Sequence, residues 1–229
     1  MTSFPLEPRY ERKFIAQGLD LPATLALVRR HPAAFREVYP ARSVNSLYLD
    51  SADLRDYHDH VNGVGHRTKT RIRWYGAWSG QLAAPTLEKK IKRGQVGWKR
   101  SHGLASMYMN GGVSRTELER VVEQSKLPAG ACESLHHLQP SLLSRYQRHY
   151  FLSADRRFRL TVDSELEFAA ASPAEAAGTG FRPYGSLIVI ELKFGVGEAP
   201  DAPQVTNTLP FRLTKCSKYV LGISSILAR

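Results

Sequence analysis

The stretch HRTKTRIRWYG, residues 66–76, places Arg67, Lys69, Arg71 and Arg73 at every second position. Side chains on a β-strand alternate between its two faces. This spacing therefore predicts a strand over 67–75 with four cations on one face and Thr68, Thr70, Ile72 and Trp74 on the other. Like charges stacked this way repel one another. A solvated sheet face would tolerate them, whereas a face that surrounds an anion would call for them.

Seven more stretches read as strands from their alternation and their β-branched or aromatic content: 9–16, 44–50, 86–92, 96–101, 144–152, 157–163 and 187–194. KRGQVGW (92–98) has the glycine spacing of a tight hairpin, and SADRRF (153–158) reads as a turn between the sixth and seventh strands, so the sheet is expected to be largely antiparallel. Helices interrupt the strands. Pro22 can open one through PATLALVRRH, Ser114 with Glu117 forms a capping box ahead of ELERVVEQSK, and SKYVLGISSIL makes a C-terminal one. AAASPAEAAGTG (169–180) and GEAPDAPQ (197–204) read as loops, the first of them mobile. The expectation is a single α+β domain spanning 1–229, built on an eight-stranded antiparallel β-barrel with a charged interior and helices packed outside.

At 229 residues and 42% hydrophobic the chain suffices for one sizeable core. It contains no apolar run of about 18 residues, and its first residues, MTSFPLEPRYERKF, are polar where a signal peptide is apolar, so a cytoplasmic location is expected. Cys132 and Cys216 are too few for a disulfide framework, and the eight histidines show no zinc-ligand spacing. The net charge of +11 points to an anionic partner. Its distribution says more: between Arg67 and Arg100 there are ten Lys or Arg against one acid, Glu88.

The same pattern recurs. Glu11 and Lys13, Glu88 and Lys90, and Glu191 and Lys193 each share one strand face, as do Tyr146, Arg148 and Tyr150, and Arg157, Arg159, Thr161 and Asp163. The opposite faces, such as Ile190, Leu192 and Phe194, are apolar and must pack on something. With helices covering the apolar side, the charged side becomes the interior, which is tolerable only when charges are paired or a polyanion fills the space. A polyanion that fits a narrow lumen and takes many Arg contacts is a phosphate chain. Carboxylates among such cations would repel it unless a divalent Mg²⁺ or Mn²⁺ lies between them. Neither GxxxxGK[ST] nor GxGxxG is present, so side chains rather than backbone amides would hold the phosphates. Lys215 and Lys218, at helical spacing beside Ser217, are either a solvated helix start or part of the same site.

The chain resembles the triphosphate tunnel metalloenzyme superfamily and, within it, the VTC domain, named for the polyphosphate polymerase of the vacuolar transporter chaperone complex. RYERKF, SLYLDSADLRDYHDH, RTKTRIRWYG, LEKKIKRGQVGWKR, RYQRHYF, RFRLTVD, VIELKF and TKCSKYVLG carry the resemblance, in that order, over nearly the whole chain. It implies a tunnel that binds a nucleoside triphosphate with Mn²⁺ or Mg²⁺ and, in the VTC branch, transfer of the terminal phosphate to a growing inorganic polyphosphate chain. Lys13, Arg71, Arg73, Lys90, Arg148, Arg159, Lys215 and Lys218 match the phosphate-contacting cations, Lys99 a further tunnel lysine, and Glu191 the metal-binding glutamate. Lys69 and Ser217 join the candidate ligand contacts, and Glu11 and Glu88 the candidate metal ligands. Arg9 stands where the broader superfamily has the first glutamate of Glu-x-Glu-x-Lys, which fits the VTC branch and puts a second metal in question. No SPX-type regulatory domain or membrane helix is evident, so recruitment to the inner face of a membrane would take a separate membrane-protein partner.

Two other readings stand beside this one. A tunnel triphosphatase would use the same cations and metal with water as acceptor. A non-catalytic binder of polyphosphate or nucleic acid would use Trp74, Tyr75, Trp78 and Trp98 as stacking platforms. Nucleic acid is not expected, because Trp74 alternates away from Arg71 and Arg73, and Trp98 away from Lys99. Asp50, Asp53 and Arg55 read as a capped turn into a short helix, and Tyr48, Tyr57 and Tyr219 as core. Asp163 could reach the metal or orient Arg159.

Overall fold

The computed structural model describes residues 8–171 and 180–228. Eight strands carry the architecture: β1 (Arg9–Ile15), β2 (Arg36–Asp50), β3 (His66–Tyr75), β5 (Thr86–Arg93), β6 (Val96–Gly103), β8 (Gln139–Leu152), β9 (Arg159–Ala170) and β11 (Val189–Gly195). They pair in the order β9-β11-β1-β6-β5-β3-β2-β8, and β8 pairs back onto β9, closing an antiparallel ring. Seven junctions are long ladders. The eighth, between β1 and β6, is the single pair Arg9 with Gly97.

The expected hairpin between β5 and β6 turns on Gly94 and Gln95, with Arg93 opposite Val96 and Gly94 at φ +57°, a left-handed conformation that glycine adopts without a Cβ penalty. Three ring strands run further than alternation suggests, because bulges interrupt it. Glu165, at φ +53°, sits where β9 slips against β8 between Arg145 and Gln147. The slip lets Asp163 and Phe168, of opposite parity, share the inner side. Short strands β4 (Gly80–Leu82) and β7 (Met107–Met109) form a separate pair, while β10 (Arg182–Pro183) and β12 (Arg212–Leu213) add to the edges of β9 and β1.

The apolar strand faces point outward and are covered. Phe14, Leu160, Val162, Ile190, Leu192 and Phe194 pack under α1 (Leu21–Arg29) and α5 (Ala202–Thr206). Asp20 caps α1, its Oδ1 accepting from the Ala23 N–H at 2.8 Å. On the other flank Leu47, Leu49, Ile72, Trp74 and Leu87 pack under α3 (Arg115–Gln124), whose capping box at Ser114 and Glu117 is present as expected. Each fully buried Leu or Ile here contributes roughly 2 kcal/mol. The 197–204 stretch is not wholly a loop: α5 begins within it, because Ala202 and Val205 bury against the first cluster and Pro203 suits a first helical turn. Two short helices, α2 (Arg55–Val61) and α4 (Ala129–Glu133), follow β2 and precede β8. Of the 169–180 stretch, Ala169 and Ala170 end β9, and 172–179 lie outside the described residues.

One helix departs from the outside packing. α6 (Lys218–Leu227) lays Tyr219 on the inward-facing Tyr48 and packs against the inward-facing Leu142 and Phe168 at one end of the ring. Gly222 makes this possible, since a Cβ there would stand 2.4 Å from Leu142 Cδ2 and 2.7 Å from Phe168 Cδ1. Asp50 ties the end together: it accepts from the Asp56 and Tyr57 N–H groups that start α2, and from the Tyr219 hydroxyl. No helix among the described residues is long and apolar enough to cross a membrane.

Candidate active site

The four-cation face of β3 points into the ring. Register fixes this: Arg73 lies opposite Ser46 and Thr86, Arg71 opposite Tyr48 and Glu88, and Lys69 opposite Lys90, which in turn faces Lys99. Lys99 therefore shares the lumen and Arg100 does not. Trp74 points outward, its indole N–H donating to the Ala77 carbonyl, and so does not share a face with Arg71 and Arg73.

The lumen charges fall into three groups. In the first, Lys13 bridges Glu11 and Glu191 at 3.3 and 3.4 Å and donates to the Cys216 carbonyl at 2.7 Å. Lys193 pairs with Glu191 at 2.9 Å. Arg148 grips Asp163 with two hydrogen bonds of 2.5 and 2.6 Å, and Lys218 reaches the same carboxylate at 2.5 Å from the start of α6. Asp163, with no exposed surface, thus orients Arg148 and Lys218 rather than Arg159. In the second group Glu88 accepts from Arg71 at 2.6 and 2.8 Å and from Lys99 at 2.5 Å, with Arg73 at 3.8 Å. The Tyr146 and Tyr48 hydroxyls accept from Arg73 at 2.9 Å and from Arg71 at 3.4 Å, a role that sequence reading, which placed Tyr48 in the core, did not assign. The third group is under-neutralised. Lys90 has Glu11 at 2.8 Å, but Lys69 has only the Ser217 hydroxyl at 2.5 Å, and Arg67 and Lys92 stand beside them without a carboxylate partner among the described residues.

Titration follows this arrangement. Burial alone would raise the Glu11, Glu88 and Glu191 carboxyls, yet the cations around them win and hold all three below the usual carboxylate range. Burial, followed by repulsion from Lys13, Lys90 and Arg67, pulls Lys69 well below the ordinary lysine value. Burial likewise lowers Lys90, against the pull of Glu11, and it lowers Lys92 with help from Arg67 and Lys90. A wall that disfavours its own charge is one that an anion would stabilise.

Two of the expected cations stand apart. Arg159 is exposed at the ring's edge opposite Lys193, and Lys215 is exposed before α6; neither joins an ion pair among the described residues. Glu88 is also set apart from the other two carboxylates, because its partners Arg71, Arg73 and Lys99 are none of theirs. No cluster of three or more His, Cys, Asp or Glu suited to a metal occurs among the described residues. Glu11 and Glu191, ionised and joined through Lys13, do suit a hard divalent ion of the kind that takes one or two carboxylates and completes its shell with phosphate oxygens. Among the described residues Glu88 shares no cation with that pair and stands among Arg71, Arg73 and Lys99 instead.

An eight-stranded antiparallel ring with ion-paired carboxylates and excess cations inside defines a class of charge-lined tunnel folds. Solved structures agree on the fold. A putative adenylyl cyclase from Hippeastrum, described as having a dominant triphosphatase activity, superposes with a TM-score of 0.52 at 13% identity, covering 96% of each chain. A putative adenylate cyclase from Vibrio parahaemolyticus gives 0.52 at 10% identity over 97% of this chain and 99% of that one. The chain matches the VTC domain over residues 8–227 and belongs to that family. It is 24% identical to vacuolar transporter chaperone complex subunit 4 of Trypanosoma brucei brucei, over 93% of this chain but only 34% of the relative's length.

Proposed function

We propose that the lumen binds the phosphate chain of a nucleoside triphosphate, with ATP the expected donor, and transfers its terminal phosphoryl group to the end of an inorganic polyphosphate. The observation that carries this is the wall of Lys69, Lys90, Lys92 and Arg67, which among the described residues has Glu11 as its sole carboxylate partner, beside Glu191. Arg73 Nε and Thr161 Oγ1 add to it as buried inner-face atoms without a hydrogen-bond partner, ready for acceptor oxygens. Membership of the VTC family and the name of the trypanosome relative support the same reading.

In this account Arg71 and Arg73, fixed by Glu88 and Tyr146, hold phosphate oxygens from one side, and Arg148, Lys13 and Lys218 hold them from the other. Asp163 accepts from both Arg148 and Lys218 and so holds the two cations side by side. A terminal oxygen of the polyphosphate attacks the γ-phosphorus. The bond from that phosphorus to the β–γ bridging oxygen breaks, and the nucleoside diphosphate leaves with the electron pair while the chain gains one phosphate. The cations neutralise charge that spreads over the transferring group, the main service an enzyme can offer such a step. A Mg²⁺ or Mn²⁺ ion held by Glu191 and Glu11 would supply further neutralisation of phosphate oxygens. The acceptor is already an oxyanion and needs no general base.

Water in place of the chain end would make the same lumen a triphosphatase, a reading favoured by the activity ascribed to the Hippeastrum protein. Product analysis separates the two. Purified protein incubated with ATP and Mn²⁺ is expected to yield long chains that stain as polyphosphate on a gel. Glu191→Ala and Arg71→Ala should abolish them while leaving the fold intact. Orthophosphate as the sole product would replace the polymerase with the hydrolase, and full activity in both variants would refute either.

A further inference from the structure

The end of the ring away from α6 carries a cluster that the phosphate chemistry does not use. On the bulged first half of β2, Tyr39 lies opposite Tyr150 and Arg42 opposite Arg148. The Tyr39 and Tyr150 rings meet edge to face, with centroids 5.9 Å apart. The Arg42 guanidinium lies 4.7 Å from the Tyr39 centroid and 5.7 Å from that of Tyr150. On the neighbouring strand Tyr75 follows the inward-facing Arg73 by two positions, opposite Val44, and shares the electrostatic surroundings of Tyr150 with Tyr146, Arg148 and Arg73.

Tyr39 and Tyr75 are each 53% exposed, though a Tyr ring is normally placed to bury its face. Neither belongs to any of the three hydrophobic clusters. Directly inward from them stand Arg148 and Arg73, the first strong phosphate-binding groups of the lumen. Flat, half-exposed aromatic faces plus a guanidinium, at the mouth of a cation-lined channel, match a ligand with a π-face at one end and a phosphate chain at the other.

We propose that Tyr39, Tyr75 and Tyr150, with Arg42, form the docking place for the base of a nucleoside triphosphate, so that the nucleotide enters by this mouth with its phosphates leading. The proposal rests on the reading of the lumen as a triphosphate site and adds which end the nucleoside occupies and how its base is held. Recognition by stacking makes the site tolerant of base identity, since every base presents a π-face.

Affinity ratios test it with the full chain and two probes, ATP and inorganic tripolyphosphate, the second lacking a base. Stacking on one partly exposed ring is worth about 1 kcal/mol, or about fivefold. Tyr39→Ala and Tyr75→Ala are each expected to lower the affinity for ATP about fivefold relative to that for tripolyphosphate, and Tyr39→Trp and Tyr75→Trp to restore the ratio. Using the ratio removes any general loss of folded protein. A ratio unmoved in both alanine variants, with wild type binding both probes, would overturn the stacking site alone. Wild-type protein that bound neither probe would instead overturn the lumen reading beneath it.

Discussion

Asp163 shows how much a single buried carboxylate can hold. It has no exposed surface, yet it accepts two hydrogen bonds from Arg148 and one from Lys218, so it neutralises the densest knot of charge in the ring. Removing one partner of a buried, hydrogen-bonded ion pair typically costs about 3–5 kcal/mol, because the other partner is left buried and uncompensated. Asp163→Ala is expected to lose stability on that scale in a urea titration; a change under about 1 kcal/mol would mean that water already shares the site. The carboxyl is held below its ordinary value of 3.8, so its contribution is present above that pH and lost as the pH falls through the depressed folded value. The alternating cations of β3 could be read from sequence because the two-residue period is strict. Which carboxylate meets which cation could not. Glu11, Glu88 and Glu191 occupy equivalent positions in three Glu-x-Lys strands, but the stagger between strands sends Glu88 to Arg71 and Lys99 and brings the other two together at Lys13.

Among the elements, α6 depends on a residue that sequence reading passed over. Its approach to β8 and β9 leaves no room for a side chain at Gly222, and the nearest atoms are branched and aromatic carbons of buried residues. Gly222→Ala is expected to destabilise the protein by about 1–3 kcal/mol through overpacking, despite alanine's better helix propensity. Denaturant midpoints would measure it, and a stabilised variant would contradict the close packing described. Because Ser217 and Lys218 at the start of α6 bind Lys69, Asp163 and Glu191, the same substitution should also disturb the lumen. The eight ring strands, α1, α3 and α6 were legible from alternation, capping residues and turn glycines. The inner seat of α6 was not, since its amphipathic pattern shows only that one side is buried, not on which wall. The inner half of β9 was hidden for a different reason: the bulge at Glu165 breaks the parity on which the reading depends.

For the whole molecule, the physical question is why a ring should close around charge. The outward clusters supply the hydrophobic burial that an ordinary small barrel takes from its interior, which frees the inside for charged groups. The lumen carboxylates then neutralise only part of the cationic wall, and the remainder is positioned for a ligand. That is the central claim, and calorimetric titration of inorganic tripolyphosphate into the wild type and into a Lys69→Met, Lys90→Met double variant tests it most directly. Contacts to charged groups are worth about 1.5–3 kcal/mol each, so the account predicts a wild-type affinity that falls with added salt and a double variant at least about tenfold weaker. Equal affinities in the two proteins, with the same response to salt, would contradict it.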